Sequence, residues 1–261
     1  MNDADESTDR QGDLVGSLQK GLGVLEILAA HQTGMTLTEM AEEAGLTRAG
    51  ARRLLLTLAA SGFADQEGRV FRLSPKLLTL ARQWVGESTL WSFAEPHMRR
   101  VSETLNESCS AAILSDLDVV YVARVGSTRI ISVALHVGTR LPAWCTSMGR
   151  VLVAGQDADD INAFAARSVP SALTPKSVTT PSALANAILQ ARNDGYALVD
   201  EELELGLRSI AVPIHDRMGR TVAAINVSTQ ASRHSIEAMK RDMLPLLREA
   251  ARGIEDYFVV Q

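Results

Sequence analysis

The sequence predicts an α+β chain in two parts: a small N-terminal winged helix-turn-helix and a larger domain with an antiparallel sheet and flanking helices. Three observations predict it. Thr36–Gly62, TLTEMAEEAGLTRAGARRLLLTLAASG, reads as two short helices joined by a tight turn. The residues after it alternate around a Glu67-Gly68 turn, the pattern of a β-hairpin. Beyond Asn106 the hydrophobic period changes from helical to alternating, in short β-branched runs separated by turn residues.

Length and composition agree with this reading. At 261 residues the chain has room for two domains. A composition 46% hydrophobic and 22% charged is that of a soluble globular protein. No run of 18 or more apolar residues exists, so no membrane span is expected. Residues 1–13, MNDADESTDRQGD, are acidic and polar with no apolar core. They are not a signal peptide and are expected to form a disordered arm, which implies a cytoplasmic protein. The two cysteines, Cys109 and Cys145, make neither a disulfide framework nor a metal-ligand spacing.

The elements follow in order. Ser17–His31 is expected as a first helix, with Leu18, Leu22, Leu25 and Leu28 on its buried face beside Ile27. Its Gly21-x-Gly23 precedes no strand, which argues against a dinucleotide loop. Thr36 and Glu39 have the spacing of a capping box for the next helix. Leu37, Met40 and Ala41 form its apolar side, and Gly45 supplies the left-handed residue that ends it. Thr47 caps the following helix, whose stripe is Ala51, Leu54, Leu55 and Leu58.

At about 100° per residue, Ala49, Arg53 and Leu56 point away from that stripe. Arg52 and Thr57 flank them and Arg48 lies in the first turn. Such a face carries guanidinium groups, a hydroxyl and small residues. Small residues let a helix backbone approach a groove, and arginine grips guanine edges or phosphates bidentately. Phe63–Gln66 and Arg69–Leu73 then make the wing, with Arg69 and Arg72 adding charge. Residues 13–86 hold eight Lys/Arg and seven Asp/Glu, about +1 where the whole chain is −5. Five of those eight bases lie on the second helix and the wing. An acidic remainder is expected to face away from DNA. The DNA-contact residues expected are Thr47, Arg48, Ala49, Arg52, Arg53, Thr57 and Arg69.

Ser74-Pro75 opens a linker helix through Leu77, Leu78, Leu80, Ala81 and Trp84, and Gly86 stops it. Another amphipathic helix spans Leu90 to Asn106. Both are candidates for dimer contacts. Ser110–Leu114, Val119–Val125 and Ile130–Leu135 read as a meander, and Gly138–Pro142 as an irregular stretch. Helices are expected over Ser147–Ala154, Asp157–Arg167 and, after the Thr180 cap and N1 proline, up to Asp194. Tyr196–Asp200 is a strand, Ser209–Ile214 and Val222–Ser228 a hairpin, and Ser235–Tyr257 one long final helix. The domains read as 14–73 for the winged part, 74–88 for the linker and 89–261 for the larger domain.

Three long stretches, RLPAWCTSMGRVLVA (140–154), DGYALVDEELELGLRSIAVPI (194–214) and GRTVAAINVS (219–228), resemble the effector domain of the IclR family of bacterial transcription regulators. SLQKGLGVLEIL (17–28) and GLTRAGARRLLLTL (45–58) resemble that family's DNA-binding domain. The likeness covers residues 14–259 in order. TRAGARRLLLTL and LPAWCTSMGRVL are most similar to regulators of the protocatechuate branch of the β-ketoadipate pathway. The resemblance implies a GAF/PAS-like effector domain, operator DNA and a small carboxylic acid as partners, and homodimers that pair into tetramers. It also implies a pocket of Thr146, Ser147 and Met148, with backbone N–H groups at a helix start, and of Asp200, Ser209, Asn226 and Ser228. Asn226 stands where relatives often carry serine, so the effector is expected to differ from that of glyoxylate- and pyruvate-type members. Trp144 can stack on an aromatic ring or serve the core or an interface. Arg208 can pair with the effector or, as the favoured reading, hold Glu202 or Glu204.

Other classes fit less well. Ser147 and Ser209 have no histidine or aspartate positioned by spacing, and no G-x-S-x-G occurs. Two distant cysteines do not make the close thiol set of a redox enzyme. The five histidines show no ligand spacing, so neither a metal nor a cofactor is expected. A sensor that has lost DNA binding is disfavoured by the arginines at 48, 52 and 53.

Overall fold

The computed structural model describes residues 15–31, 33–85, 90–127, 135–168 and 170–260, with backbone alone at 81–85 and 260. The expected arm (1–13), most of the Ile130–Leu135 run and residues 86–88 of the linker lie outside these. The chain divides into two compact units, Met1–Glu87 and Ser88–Gln261.

The first unit holds helices α1 (Gly16–Ala30), α2 (Leu37–Glu43) and α3 (Arg48–Ala60) and a small sheet. Thr36 and Glu39 close the capping box on α2. Its C-terminus is a Schellman turn: Gly45 N–H donates to Glu42 O and Leu46 N–H to Ala41 O, with Gly45 at φ 62°. Helix α3 ends the same way, through Gly62 N–H to Ala59 O and Phe63 N–H to Leu58 O. The wing is β2 (Ala64–Glu67) paired antiparallel with β3 (Val70–Leu73). A third strand, β1 (Met35–Thr36), pairs with the other edge of β3. Val24, Leu28, Met40, Leu55 and Phe71 fill the core of this unit.

Two expectations need correcting here. Helix α1 buries Val24 and Leu28, while Leu18 and Leu22 are exposed. The helix is apolar on several sides, and its partners in α3 choose the side; Gly21 faces Leu54 there, and a Cβ on it would lie 3.8 Å from that side chain. Leu56 does not join the arginine face, since it is half-buried and packs on the core. Helix α4 (Lys76–Val85) follows, and Ser74 Oγ accepts from Lys76 N–H at its start.

The second unit is built on one six-stranded antiparallel sheet in the order β6-β5-β4-β9-β8-β7. The strands are β4 (Ser108–Ser115), β5 (Asp118–Val125), β6 (Arg140–Pro142), β7 (Ala197–Asp200), β8 (Leu207–His215) and β9 (Thr221–Gln230). Arg140–Pro142, expected to be irregular, pairs with Asp118–Val120 as a short edge strand. One face carries Cys109, Ala111, Ile210, Ile225 and Val227 against helix α5 (Leu90–Leu105) and the C-terminal helices. The other carries Ala112, Tyr121, Ala211 and Ala224 against α6 (Ser147–Ala154), α7 (Ala158–Ser168) and α8 (Pro181–Asp194). This is the period-2 alternation of a sheet covered on both sides.

The final helix is not uniform. After α9 (Ile236–Ala238) comes a π turn over Met239–Met243, then α10 (Leu244–Glu255) and α11 (Tyr257–Val260). Pro245 has no N–H to donate to the carbonyl of Arg241, and the ladder widens just before it.

Candidate functional site

Two regions carry the functional residues, one in each unit. In the first, Thr47 Oγ1 accepts from Gly50 N–H at 3.1 Å and fixes where α3 begins. Thr47, Arg48, Ala49, Arg52, Arg53 and Thr57 are all exposed along that helix, and Arg69 is exposed beside Gly68 on the wing. Among the described residues, Arg48, Arg52, Arg53 and Arg69 make no ion pair. Arg72 differs from expectation. Its Nη1 donates to Glu67 Oε2 at 3.0 Å and its Nε to the Thr33 carbonyl at 2.9 Å, so its charge is already paired. Thr57 turns its hydroxyl proton back onto the Arg53 carbonyl at 2.7 Å and keeps only acceptor capacity outward.

In the second unit a cavity of about 520 Å³ opens on the α6 side of the sheet. Its floor is two cross-strand rows. Arg124 (β5), Ser110 (β4) and Asn226 (β9) lie opposite one another, as do Ser108 (β4), Ser228 (β9) and Ser209 (β8). Residues two apart on each strand share a face, which is why both rows point the same way. Tyr121, Leu135, Leu141, Cys145, Val199 and Leu203 line the cavity with mostly apolar surface. Burial pushes the Tyr121 phenol up to about 12, against the partly offsetting charge of Arg124, so it is neutral at ordinary pH. Burial, reinforced by Glu202, likewise pushes the Cys145 thiol up to about 12.

Four of the expected effector residues meet at this cavity: Thr146, Ser209, Asn226 and Ser228. Asn226 Nδ2 donates to Ser228 Oγ at 3.1 Å, while its Oδ1, buried, has no partner among the described residues. The other three lie elsewhere. Helix α6 is buried on every side, so Ser147 and Met148 turn into the protein and Met148 joins the core. Asp200 is engaged by Arg208 Nε at 2.5 Å and Lys176 Nζ at 2.8 Å. Burial pushes its carboxyl up, but the hydrogen bonds and charges of Arg208 and Lys176 outweigh this and hold it below the usual range. Asp200 is therefore ionised and already engaged by two cations. Arg208 holds Asp200 and the carbonyls of Ala231 and His234, not Glu202 or Glu204. Glu202 instead pairs with Arg150 at 2.5 Å, both nearly buried. Trp144 belongs to the core cluster.

Sequence reading missed Arg124, Tyr121 and Ser108 in the cavity, together with Glu107 and Arg233, which pair at 2.7 Å beside it. Tyr121 and Arg124 are three apart, so strict alternation puts them on opposite faces. The register shifts between Ala111 and Ala112: Ala112 faces Tyr121, but Ser110 faces Arg124. Val122 and Ala123 both turn to the opposite layer. This β-bulge brings tyrosine and arginine to one face.

The sequence model of the IclR helix-turn-helix domain matches residues 17–68, and that of the bacterial transcriptional regulator IclR C-terminal domain matches 83–256. The chain belongs to the IclR family. This IclR-family regulator is 39% identical to the Pca regulon regulatory protein of Pseudomonas putida over 93% of the chain and 84% of that relative. Among solved structures, a Rhodococcus sp. RHA1 protein described as a transcriptional regulator superposes with a TM-score of 0.82 at 42% identity, covering 95% of this chain and 99% of that one. An IclR homologue from Microbacterium hydrocarbonoxydans, complexed with 4-hydroxybenzoate, superposes with a TM-score of 0.82 at 26% identity, covering 94% and 100%. Family membership makes the chain a helix-turn-helix transcription regulator with an effector-binding domain.

Proposed function

We propose that this IclR-family chain regulates genes for aromatic-acid breakdown by sensing a small carboxylic acid of the protocatechuate and β-ketoadipate pathways. Residues 14–73 read the operator through Thr47, Arg48, Ala49, Arg52, Arg53, Thr57 and Arg69. Residues 74–88 link the parts, 89–261 bind effector and hold subunits together, and 1–13 form an arm. The protein works in the cytoplasm, where its operator lies, as a homodimer that pairs into a tetramer. The single observation that carries the effector half is the cavity with Arg124, Ser108, Ser209, Asn226 and Ser228 on its floor. A buried anion needs such donors, because an unpaired charge there is costly. The likeness to the Pca regulon regulatory protein and to the 4-hydroxybenzoate complex supports the substrate class.

Catalysis is not part of this reading. Among the described residues, neither Ser209 nor Ser228 hydrogen-bonds a histidine. A Cys145 thiol raised to about 12 is protonated at neutral pH and a poor nucleophile. The experiment is a thermal-shift screen of hydroxybenzoates, protocatechuate, carboxymuconate, β-ketoadipate and small oxo-acids, followed by operator binding with and without each hit. A true effector stabilises the fold by mass action and changes DNA affinity. The Asn226→Ala, Ser228→Ala double variant should lose the effector response and keep its effector-free DNA affinity. An unaltered response would move the effector site away from this cavity.

A further inference from the structure

Arg124 is partly buried and lines the cavity floor. Its Nη1 donates to Ser110 Oγ at 3.2 Å and its Nη2 to Ser108 Oγ at 3.3 Å. Both partners are neutral hydroxyls on the neighbouring strand. Among the described residues it has no carboxylate partner, although arginine has five donors and is always charged. The other cation of the cavity, Arg233, is already matched by Glu107. Arg124 is therefore the one cation of the cavity without a carboxylate partner among the described residues, while the exposed Glu204 at its edge carries no ion pair either. The donors that the two hydroxyls leave over can be met by an anionic ligand.

Arg124 and Asn226 both face Ser110, so their backbones are two strand spacings apart, about 10 Å. The Asn226 amide donates to Ser228, and its Oδ1 is buried with no accessible surface. Arg124 is therefore the donor of this row that is left for an acid.

We propose that Arg124, carried onto the cavity face by the bulge in β5, anchors the effector's carboxylate through its guanidinium fork. The ligand class is a small acid that presents a carboxylate to this guanidinium. This rests on the reading of the chain as an acid-responsive regulator.

The test is isothermal titration of the full chain with three probes: 4-hydroxybenzoate, benzoate and the neutral 4-hydroxybenzamide. In the wild type 4-hydroxybenzoate and benzoate, which carry the carboxylate, should both bind more tightly than 4-hydroxybenzamide. Arg124→Gln should lose at least about thirtyfold in affinity for 4-hydroxybenzoate. It should bind 4-hydroxybenzamide as the wild type does, because the amide never used the charge. Arg124→Lys, which keeps the charge without the fork, should fall between. A variant that merely loosened the pocket would weaken acid and amide alike, and that result overturns the proposal. So does unchanged 4-hydroxybenzoate affinity in Arg124→Gln, with the acid-sensing reading left standing. If the wild type binds none of 4-hydroxybenzoate, protocatechuate and β-ketoadipate, the acid-sensing reading fails first and takes this inference with it.

Discussion

Arg53 and Arg69 sit on different elements and should fail differently when removed. Arg53 projects from the exposed side of α3, where a helix in the major groove meets base edges. Arg53→Ala should cost about 1–3 kcal/mol of operator affinity and relax sequence preference. Arg69, on the wing, should touch phosphate. Arg69→Ala should weaken all sequences alike and flatten the salt dependence. Titration of operator and scrambled DNA at several salt concentrations checks both, and intact operator affinity in Arg53→Ala would show that another face reads the DNA. Asp200 belongs to stability. Its folded carboxyl is held below the ordinary aspartate value of 3.8. The stabilisation it gives is complete above that value and is lost as pH falls through the lowered one. Asp200→Asn should therefore cost about 1–3 kcal/mol at neutral pH, through the charged hydrogen bonds it removes. The gap to wild type should close in strongly acidic solution. Denaturant unfolding across pH would show it, and a gap independent of pH would mean that packing, not charge, holds the site.

At the scale of elements, what was legible in the sequence is what is decided locally. The caps at Thr36 and Thr47, the left-handed glycines at 45 and 62, and the stripe through Ala51 and Leu55 all depend on neighbours within a few residues. The wing, the Thr180 cap and the long hairpin of β8 and β9 were legible for the same reason. What was hidden is decided by partners far along the chain. The two residues of β1 are a strand only because β3 lies beside them. Leu18 and Val24 are equally apolar, and only the packing of α1 distinguishes them. The bulge at Ala111 and Ala112 leaves no local signature, so the cavity's cation went unread while Ser209, Asn226 and Ser228, on regular strands, did not. Helix α6 supplies a prediction at this scale. A Cβ on Gly149 would lie 2.1 Å from the Ala143 carbonyl oxygen and 2.4 Å from its Cα. Backbone cannot yield there as a side-chain tip can. Gly149→Ala should cost about 1–3 kcal/mol and displace the Ala143–Thr146 segment, which forms one wall of the cavity. Thermal unfolding and effector titration should fall together; a variant with wild-type stability would mean the helix shifts freely.

Over the whole molecule, affinity for an operator needs more than one small reading unit. A winged unit of this size makes too few contacts for operator-grade binding, and paired units on a palindrome supply the rest. Sedimentation should show a dimer or larger species at micromolar concentration. A monomer that still bound operator fully would defeat that expectation. The two units also divide the labour of tolerance. Leu28, Met40 and Leu55 close a core that owes nothing to the sheet of the second unit, whose layers close on their own side chains. Within that sheet, the surplus residue in β5 has a genetic consequence. Loss of a single codon between 121 and 124 would restore strict alternation. Tyr121 and Arg124 would then stand two apart and both keep the cavity side, and the strand downstream would keep its faces. A substitution at 124 changes only the cavity lining. One locus thus offers a graded route to new ligands by replacement, and can lose its surplus residue without turning the strand over.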